Sequence, residues 1–160
     1  FRLIAAEAVL EEPRVVAALR TRDVQLVRIG LSKVCVLWPE TEGLDGYAAG
    51  GVLARNGRIY FAPANASRVL CIDTAAGTVE MLGLEIQGRR KFVARGVLAP
   101  NGQVYFAPGG ASRALCVDPG EGTVEMLGPV IEGRVKYQGD GMLAPNGKIY
   151  FAPSGASRVL

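Results

Sequence analysis

The carboxylates are the side chains that could most directly do chemistry in this sequence, and several of them come in equally spaced pairs. Asp73 and Asp118 are 45 residues apart, and so are Glu80 and Glu125. Two carboxylates brought together can act as general acid and base. These pairs, however, are the same residue at the same place in a repeated segment, whereas an active site combines different residues. We therefore interpret the aspartates as turn caps and the glutamates as part of a solvated strand face.

Nucleophilic chemistry is poorly supported because the chain contains no histidine. Ser67-Arg68, Ser112-Arg113 and Ser157-Arg158 repeat at the same spacing, but a serine without a base partner is a weak nucleophile. Each arginine is expected to begin a strand and to cover apolar surface with its stem. The alternative is a ring of arginines that binds an anion. The sequence thus predicts no catalytic residue, no metal site and no cofactor.

These residues belong to a repeat with a strict period of 45. Residues 51–63 recur as 96–108 and again as 141–153, and more than half of the positions in 46–90 are identical in 91–135. A unit of this length with several short apolar runs is typical of propeller blades and solenoids. The third copy, 136–160, is shorter, and it predicts a truncated unit.

Each full copy predicts four antiparallel strands. In the second copy the extended runs are 97–100, 103–108, 113–118 and 123–127. Asn101-Gly102 separates the first two runs and predicts a type I′ hairpin turn. Asp118-Pro-Gly-Glu-Gly122 separates the last two and predicts a further turn.

The polarity of the runs predicts how the sheets pack. The second and third runs are apolar on both faces, as in Ile149-Tyr150-Phe151 and in Val69-Leu70-Cys71, whereas the fourth alternates polar with apolar residues. Inner strands lying between neighbouring sheets need two apolar faces, and an outer strand meets solvent. The fold class predicted is therefore all-β: partial β-propeller blades of four antiparallel strands, about three blades in number. Helical solenoids are disfavoured because the repeat lacks 3.6-residue periodicity.

Two segments precede the first full blade. Residues 24–45 match part of the repeat and predict a partial blade, so the propeller is expected to cover 24–160. Residues 1–23 lie outside the repeat and predict a short helical segment for docking. No stretch is apolar and long enough to predict a membrane span.

The repeated unit G-V-L-A-P-N-G-x-I/V-Y-F-A-P, followed by S-R-x-L-C-x-D and G-T-V-E-M-L-G, resembles repeats in algal and protist proteins. More distantly it is similar to propellers of the YVTN, NHL and SMP-30 types. The resemblance covers about residues 31–160 and implies a propeller architecture. It leaves the activity open, because propellers host hydrolases, lyases, binding modules and scaffolds.

The connections that differ between copies are the candidate partner-binding sites. Residues 44–50, 89–95 and 134–140 are expected on the same face as the small pairs Ala64-Asn65, Gly109-Gly110 and Ser154-Gly155, whose amides are expected to be accessible. The aromatic in each connection either plugs the space between blades or contributes to a binding surface, and the cations are either solvated or bind an acidic or phosphate-bearing partner. The candidate residues are Tyr47, Arg89, Arg90, Lys91, Phe92, Arg95, Arg134, Lys136, Tyr137 and Asp140.

Several functions are compatible with this pattern. A non-enzymatic protein-interaction or scaffold module, such as an accessory subunit of a larger assembly, fits the absent histidine, the symmetry and the variable loops. The alternatives are a fragment of an SMP-30-like metal-dependent hydrolase or lactonase, and a small-ligand or anion sensor. The net charge of +3 does not favour nucleic acid as a partner. Three cysteines suggest no disulfide framework and are compatible with a reducing compartment. The chain is expected either to continue beyond these residues or to self-associate to close its ring.

Overall fold

The computed structural model describes residues 46–160. This part is all-β, with ten strands and no helix. The predicted helical segment 1–23 and the predicted partial blade 24–45 lie outside the described residues. Within residues 46–160 no helix is long and apolar enough to cross a membrane.

Three antiparallel sheets follow one another along the chain. The first sheet has the order β1-β2-β3-β4, the second has β5-β6-β7-β8, and the third contains β9 and β10. The strands of the first sheet are β1 (Val52–Leu53), β2 (Arg58–Phe61), β3 (Val69–Asp73) and β4 (Thr78–Leu82). Those of the second are β5 (Val97–Leu98), β6 (Val104–Phe106), β7 (Ala114–Asp118) and β8 (Thr123–Leu127), and the third has β9 (Met142–Leu143) and β10 (Ile149–Tyr150). The prediction of four-stranded antiparallel sheets is confirmed, and the arrangement is propeller-like.

The β1–β2 hairpin corrects the predicted turn type. A type I′ turn needs positive φ at both central residues, but among the hairpin residues 54–58 only Gly57 has it, at 78°. Gly57 N donates to Ala54 O (3.1 Å), and Ala54 N donates to Arg58 O (2.9 Å). These bonds define a three-residue loop closed by a left-handed glycine, which is a type I turn with a bulge. The second and third sheets repeat the same pair of bonds.

The repeated asparagine stabilises this loop with its side chain. Asn101 Oδ1 accepts a hydrogen bond from Gln103 N (3.1 Å), and Asn101 Nδ2 donates to the Tyr105 hydroxyl (3.0 Å). Asn56 with Tyr60 and Asn146 with Tyr150 form the same side-chain bond, also at 3.0 Å. Asparagine precedes tyrosine by four residues in all three copies, and this contact could have been predicted from that spacing.

The core lies between successive sheets. One cluster joins residues of the first two sheets and includes Val52, Tyr60, Phe106 and Leu115; a second, around Tyr137 and Phe151, lies between the second and third sheets. Strand β1 lies beside β5, and β5 lies beside β9, so the first strands of the three sheets are neighbours. Inner strands are therefore brought together and outer strands reach solvent, as the polarity pattern predicted.

Candidate functional site: the loop edge of the sheets

The copy-specific connections form what we call the loop seam, a chain of backbone hydrogen bonds that links successive sheets at one edge. Lys91 N donates to Ala64 O in the β2–β3 connection of the first sheet (3.0 Å), while Lys91 O accepts from Gly109 N in the β6–β7 connection of the second sheet (2.8 Å). One repeat later, Lys136 N donates to Gly109 O (3.2 Å) and Lys136 O accepts from Ser154 N (2.8 Å). The backbone of Lys91 thus bonds to the first and second sheets, and the backbone of Lys136 bonds to the second and third.

The small residues of the β2–β3 and β6–β7 connections serve this seam, and the expectation that their amides are accessible is wrong. Gly109 N and Gly110 N donate to the carbonyls of Lys91 and Arg90, at 2.8 and 2.7 Å. A Cβ at Gly110 would lie 2.5 Å from the Arg89 carbonyl oxygen, and one at Gly155 would lie 2.7 Å from that of Arg134. Both distances are too short for a real contact, so glycine is needed for the close approach of two backbones.

The two candidate lysines are buried in the seam. Lys91 and Lys136 are each 1% exposed. Lys91 Nζ donates to Ala66 O (2.7 Å) and Gly88 O (3.0 Å), and Lys136 Nζ donates to Gly133 O (3.0 Å). Burial lowers the pKa of Lys136 from its ordinary value. These ammonium groups cap carbonyl oxygens inside the protein instead of facing solvent.

Two of the three candidate aromatics, Phe92 and Tyr137, are buried between sheets, as the plug interpretation predicted, and Tyr47 is half-buried. Phe92 is fully buried in the cluster between the first two sheets, and Tyr137 is 2% exposed in the next cluster. The Tyr137 hydroxyl donates to Arg158 O (2.9 Å), and the Tyr47 hydroxyl donates to Arg68 O (3.0 Å). In the first and third copies these bonds connect the start of the copy with an arginine 21 residues later, and Phe92 of the second copy has no hydroxyl to form one.

The remaining candidates are exposed. Arg89, Arg90 and Arg95 lie on the connection that enters the second sheet, and Arg134 and Asp140 on the one that enters the third. Asp140 Oδ1 accepts a hydrogen bond from Arg95 N (3.0 Å), which brings these two equivalent positions of adjacent copies together. The candidate residues thus fall into two groups, those that pack into the seam and the charged residues that are exposed on its surface.

Backbone strain marks one position of each connection. Arg90 has φ of 49° and Val135, its counterpart one repeat later, has φ of 54°. The left-handed region is unfavourable for a residue with a Cβ and most so for a β-branched one. Arg90 N donates to Asn65 Oδ1 (2.9 Å) and Arg90 O accepts from Gly110 N, so bonds to both neighbouring sheets hold this conformation.

The repeated acids lie away from the seam, at turns and on outer strands. Asp73 Oδ1 accepts the amides of Ala75 and Ala76, and Asp118 Oδ1 accepts those of Gly120 and Glu121, which confirms the turn-cap interpretation. The pKa of Asp73 is lowered first by its hydrogen bond from the Ala76 amide.

The pKa of Asp118 is lowered first by its bond from the Gln103 amide side chain and then by the turn amides. Among residues 46–160 no group of three histidine, cysteine, aspartate or glutamate side chains could hold a metal ion. Cys71 and Cys116 are buried free thiols, and burial raises the pKa of both.

Comparison with known proteins supports the architecture. No protein-family model matches this chain, and no curated protein sequence matches it. Among solved structures, it is similar to a catalytically inactive virginiamycin B lyase from Staphylococcus aureus with quinupristin, with a TM-score of 0.55 and 17% identity over 71% of this chain and 36% of that one. It is also similar to Kuenenia stuttgartiensis hydrazine synthase, with a TM-score of 0.50 and 18% identity over 71% and 30% of the two chains.

Both neighbours have propeller-type folds, and at this identity the likeness concerns the fold alone. The chain spans about a third of the length of each. The resemblance to algal and protist repeat proteins stays a prediction.

Proposed function

We propose that this chain is a non-enzymatic protein-interaction module that binds an acidic segment of a partner protein on the exposed side of its loop seam. One observation carries the proposal. The lysine and the aromatic residue of the second and third connections are buried in the seam, while their arginines and Asp140 are exposed on it.

The division of roles within one connection supports this. Lys91 and Phe92 are occupied by carbonyl caps and by the core. Arg89 and Arg90, directly before them, are exposed, and no ion pair with an acid of residues 46–160 occupies either guanidinium. Because the backbone of this connection is bonded to two sheets, the two arginines are displayed from a fixed support. Guanidinium groups bind carboxylates through paired, charge-assisted hydrogen bonds.

The test is the affinity of the chain for a short glutamate-rich peptide, measured by fluorescence anisotropy. Replacing Arg89 and Arg90 together by alanine should weaken binding about fivefold, since each exposed ion pair contributes roughly 0.5 kcal/mol. The matched control replaces Arg55 and Lys148 by alanine, which removes the same charge from the exposed hairpins at the opposite edge.

Unchanged affinity in the Arg89/Arg90 variant, or an equal loss in both variants, would contradict the proposal. Binding should also weaken as salt is raised, because exposed charges are screened. Inorganic phosphate that competes as well as the peptide would instead favour the small-anion sensor.

Self-association is a second prediction about partners, and exposed apolar residues of the first and third sheets support it. Leu53 on β1 is 59% exposed, whereas its counterpart Leu98 on β5 packs into the core between the first two sheets. Met142 on β9 is 73% exposed, although its counterpart Val52 is buried. Between the first two sheets, the faces that correspond to those of Leu53 and Met142 pack against each other. Two copies of the chain could therefore bury Leu53 of one against Met142 of the other. Light scattering should then show twice the 16.9 kDa chain mass, and a monomer at high concentration would refute it.

A further inference from the structure

The loop seam carries two equivalent arginines, one in each of two successive connections. Arg89 and Arg134 are 45 residues apart and are both exposed, whereas the lysines two residues after them are buried. Neither guanidinium is in an ion pair with an acid of residues 46–160. The same cation is therefore available at the same place in the second and third connections.

Hydrogen bonds on both sides of the β6–β7 connection determine how far apart these two connections lie. Gly110 N donates to Arg90 O on one side (2.7 Å), and Gly109 O accepts from Lys136 N on the other (3.2 Å). Backbones joined in this way are about 4.8 Å apart, so two such steps place positions 89 and 134 about 10 Å apart. The usual distance between packed sheets is also about 10 Å.

The surface between the two arginines is backbone without side chains, because positions 109 and 110 are both glycine. Gly110 is exposed, and a Cβ there would lie 2.5 Å from Arg89 O, so a larger residue does not fit. The amides of both glycines and the carbonyl of Gly109 are already bonded within the seam. A chain that crosses this surface is therefore held by its side chains and not by strand pairing.

The distance of about 10 Å selects the conformation of an acidic segment that reaches both arginines. In a polyproline II helix, residues three apart lie on the same side and are about 9.3 Å apart. In a β-strand, residues on the same side are roughly 6.6 Å apart at a spacing of two and roughly 13 Å apart at a spacing of four. An α-helix reaches about 10 Å on one side only at a spacing of seven, and a short isolated peptide does not hold a helix of that length.

We propose that Arg89 and Arg134 form a two-point site for a polyproline II segment of a partner protein, with carboxylates three residues apart. Each guanidinium pairs with one carboxylate, and the two residues between the acids cross Gly109 and Gly110. Proline is favoured at those two residues, because it holds the bound conformation before binding. This inference rests on the proposed function and specifies the sequence of the acidic segment.

The probes are labelled proline-rich peptides of equal length and charge, which carry two glutamates two, three or four residues apart. The peptide with a spacing of three should bind about twofold more tightly than the other two, because it alone makes both ion pairs. Arg134→Ala should remove this preference, so that the three peptides bind with the same affinity. The matched control Lys148→Ala removes one exposed charge from the opposite edge and should keep the preference.

A charge reversal tests the same pairing by the sign of its effect. Arg134→Glu should weaken binding of the peptide with a spacing of three about fivefold, because attraction becomes repulsion. Two further peptides each have one of the two glutamates replaced by lysine. One of them should bind Arg134→Glu more tightly than the unsubstituted chain, and the position of its lysine gives the direction in which the peptide lies.

The outcomes separate this inference from the proposed function. Equal affinities for the three spacings, all reduced in the Arg89→Ala/Arg90→Ala variant, would overturn the two-point site and leave the proposed function intact. An Arg134→Glu variant that binds every peptide as the unsubstituted chain does would also overturn the two-point site. Absence of binding by any acidic peptide would refute the proposed function and this inference with it.

Discussion

Replacing Lys91 by methionine tests whether the seam lysine belongs to the scaffold or to a binding surface. Methionine keeps most of the volume of the buried stem but removes the ammonium that donates to Ala66 O and Gly88 O at 2.7 and 3.0 Å. Hydrogen bonds from charged groups contribute roughly 1.5–3 kcal/mol each, partly offset by the cost of burying the ammonium. We expect a net loss of about 2 kcal/mol, which corresponds to a fall in melting temperature of roughly 6 °C for a chain of this size.

Thermal unfolding followed by circular dichroism measures this loss, and two further lysines supply the comparison. Lys148→Met removes an exposed charge and should shift the free energy of unfolding by less than about 0.5 kcal/mol. Lys136→Met should fall between the two, because Lys136 Nζ donates to Gly133 O alone among the carbonyls of residues 46–160. A Lys91→Met chain that melts like the unsubstituted one, but binds the acidic peptide more weakly, would refute this reasoning.

Three further predictions concern the backbone and pH. Gly102→Val should destabilise the chain by about 2 kcal/mol through φ alone, since no atom lies within 4 Å of the new Cβ and φ is 87°; an unchanged melting temperature would exclude the hairpin geometry. Val135→Asn should raise the melting temperature, because asparagine tolerates φ of 54° at roughly 1 kcal/mol lower cost than valine, and a lower one would mean that the valine side chain matters more than its strain. Asp73 and Asp118 have lowered pKa values, so the stability they contribute is present above about pH 4 and is lost as the pH falls through their pKa in the folded state. Asp118→Asn should therefore weaken the dependence of the melting temperature on pH in the acid range. An unchanged dependence would contradict the turn-cap role.

The repeat allowed the strands to be predicted closely, because each strand is short, apolar and bounded by its own turn. The run 123–127 coincides with β8, and 113–118 exceeds β7 by one residue. The runs 97–100 and 103–108 exceed β5 and β6 by two and three residues. The predicted turn type is wrong because Asn101-Gly102 predicts a two-residue loop, whereas the bond from Ala99 N to Gln103 O closes a three-residue loop. Sequence spacing alone does not distinguish these loops.

The candidate site was predicted less well, and burial of charge is the reason. Lys91 follows two arginines, and a run of cations predicts a solvated surface. Its acceptors are backbone carbonyls, and one of them, on Ala66, lies 25 residues away in the chain. Such acceptors leave no side-chain signature, so the carbonyl caps could not be inferred. The glycines of 109–110 indicated close approach, but not which backbone approaches them.

In the proposed function, neighbouring residues of one connection divide into scaffold and binding surface. The most direct measurement is acidic-peptide affinity and melting temperature determined on the same samples of two variants, Lys91→Met and Arg89→Ala/Arg90→Ala. We predict that Lys91→Met loses stability while the arginine variant loses about fivefold in affinity and melts normally. The reverse pattern, with stability lost through the arginines and binding lost through Lys91, would contradict the claim.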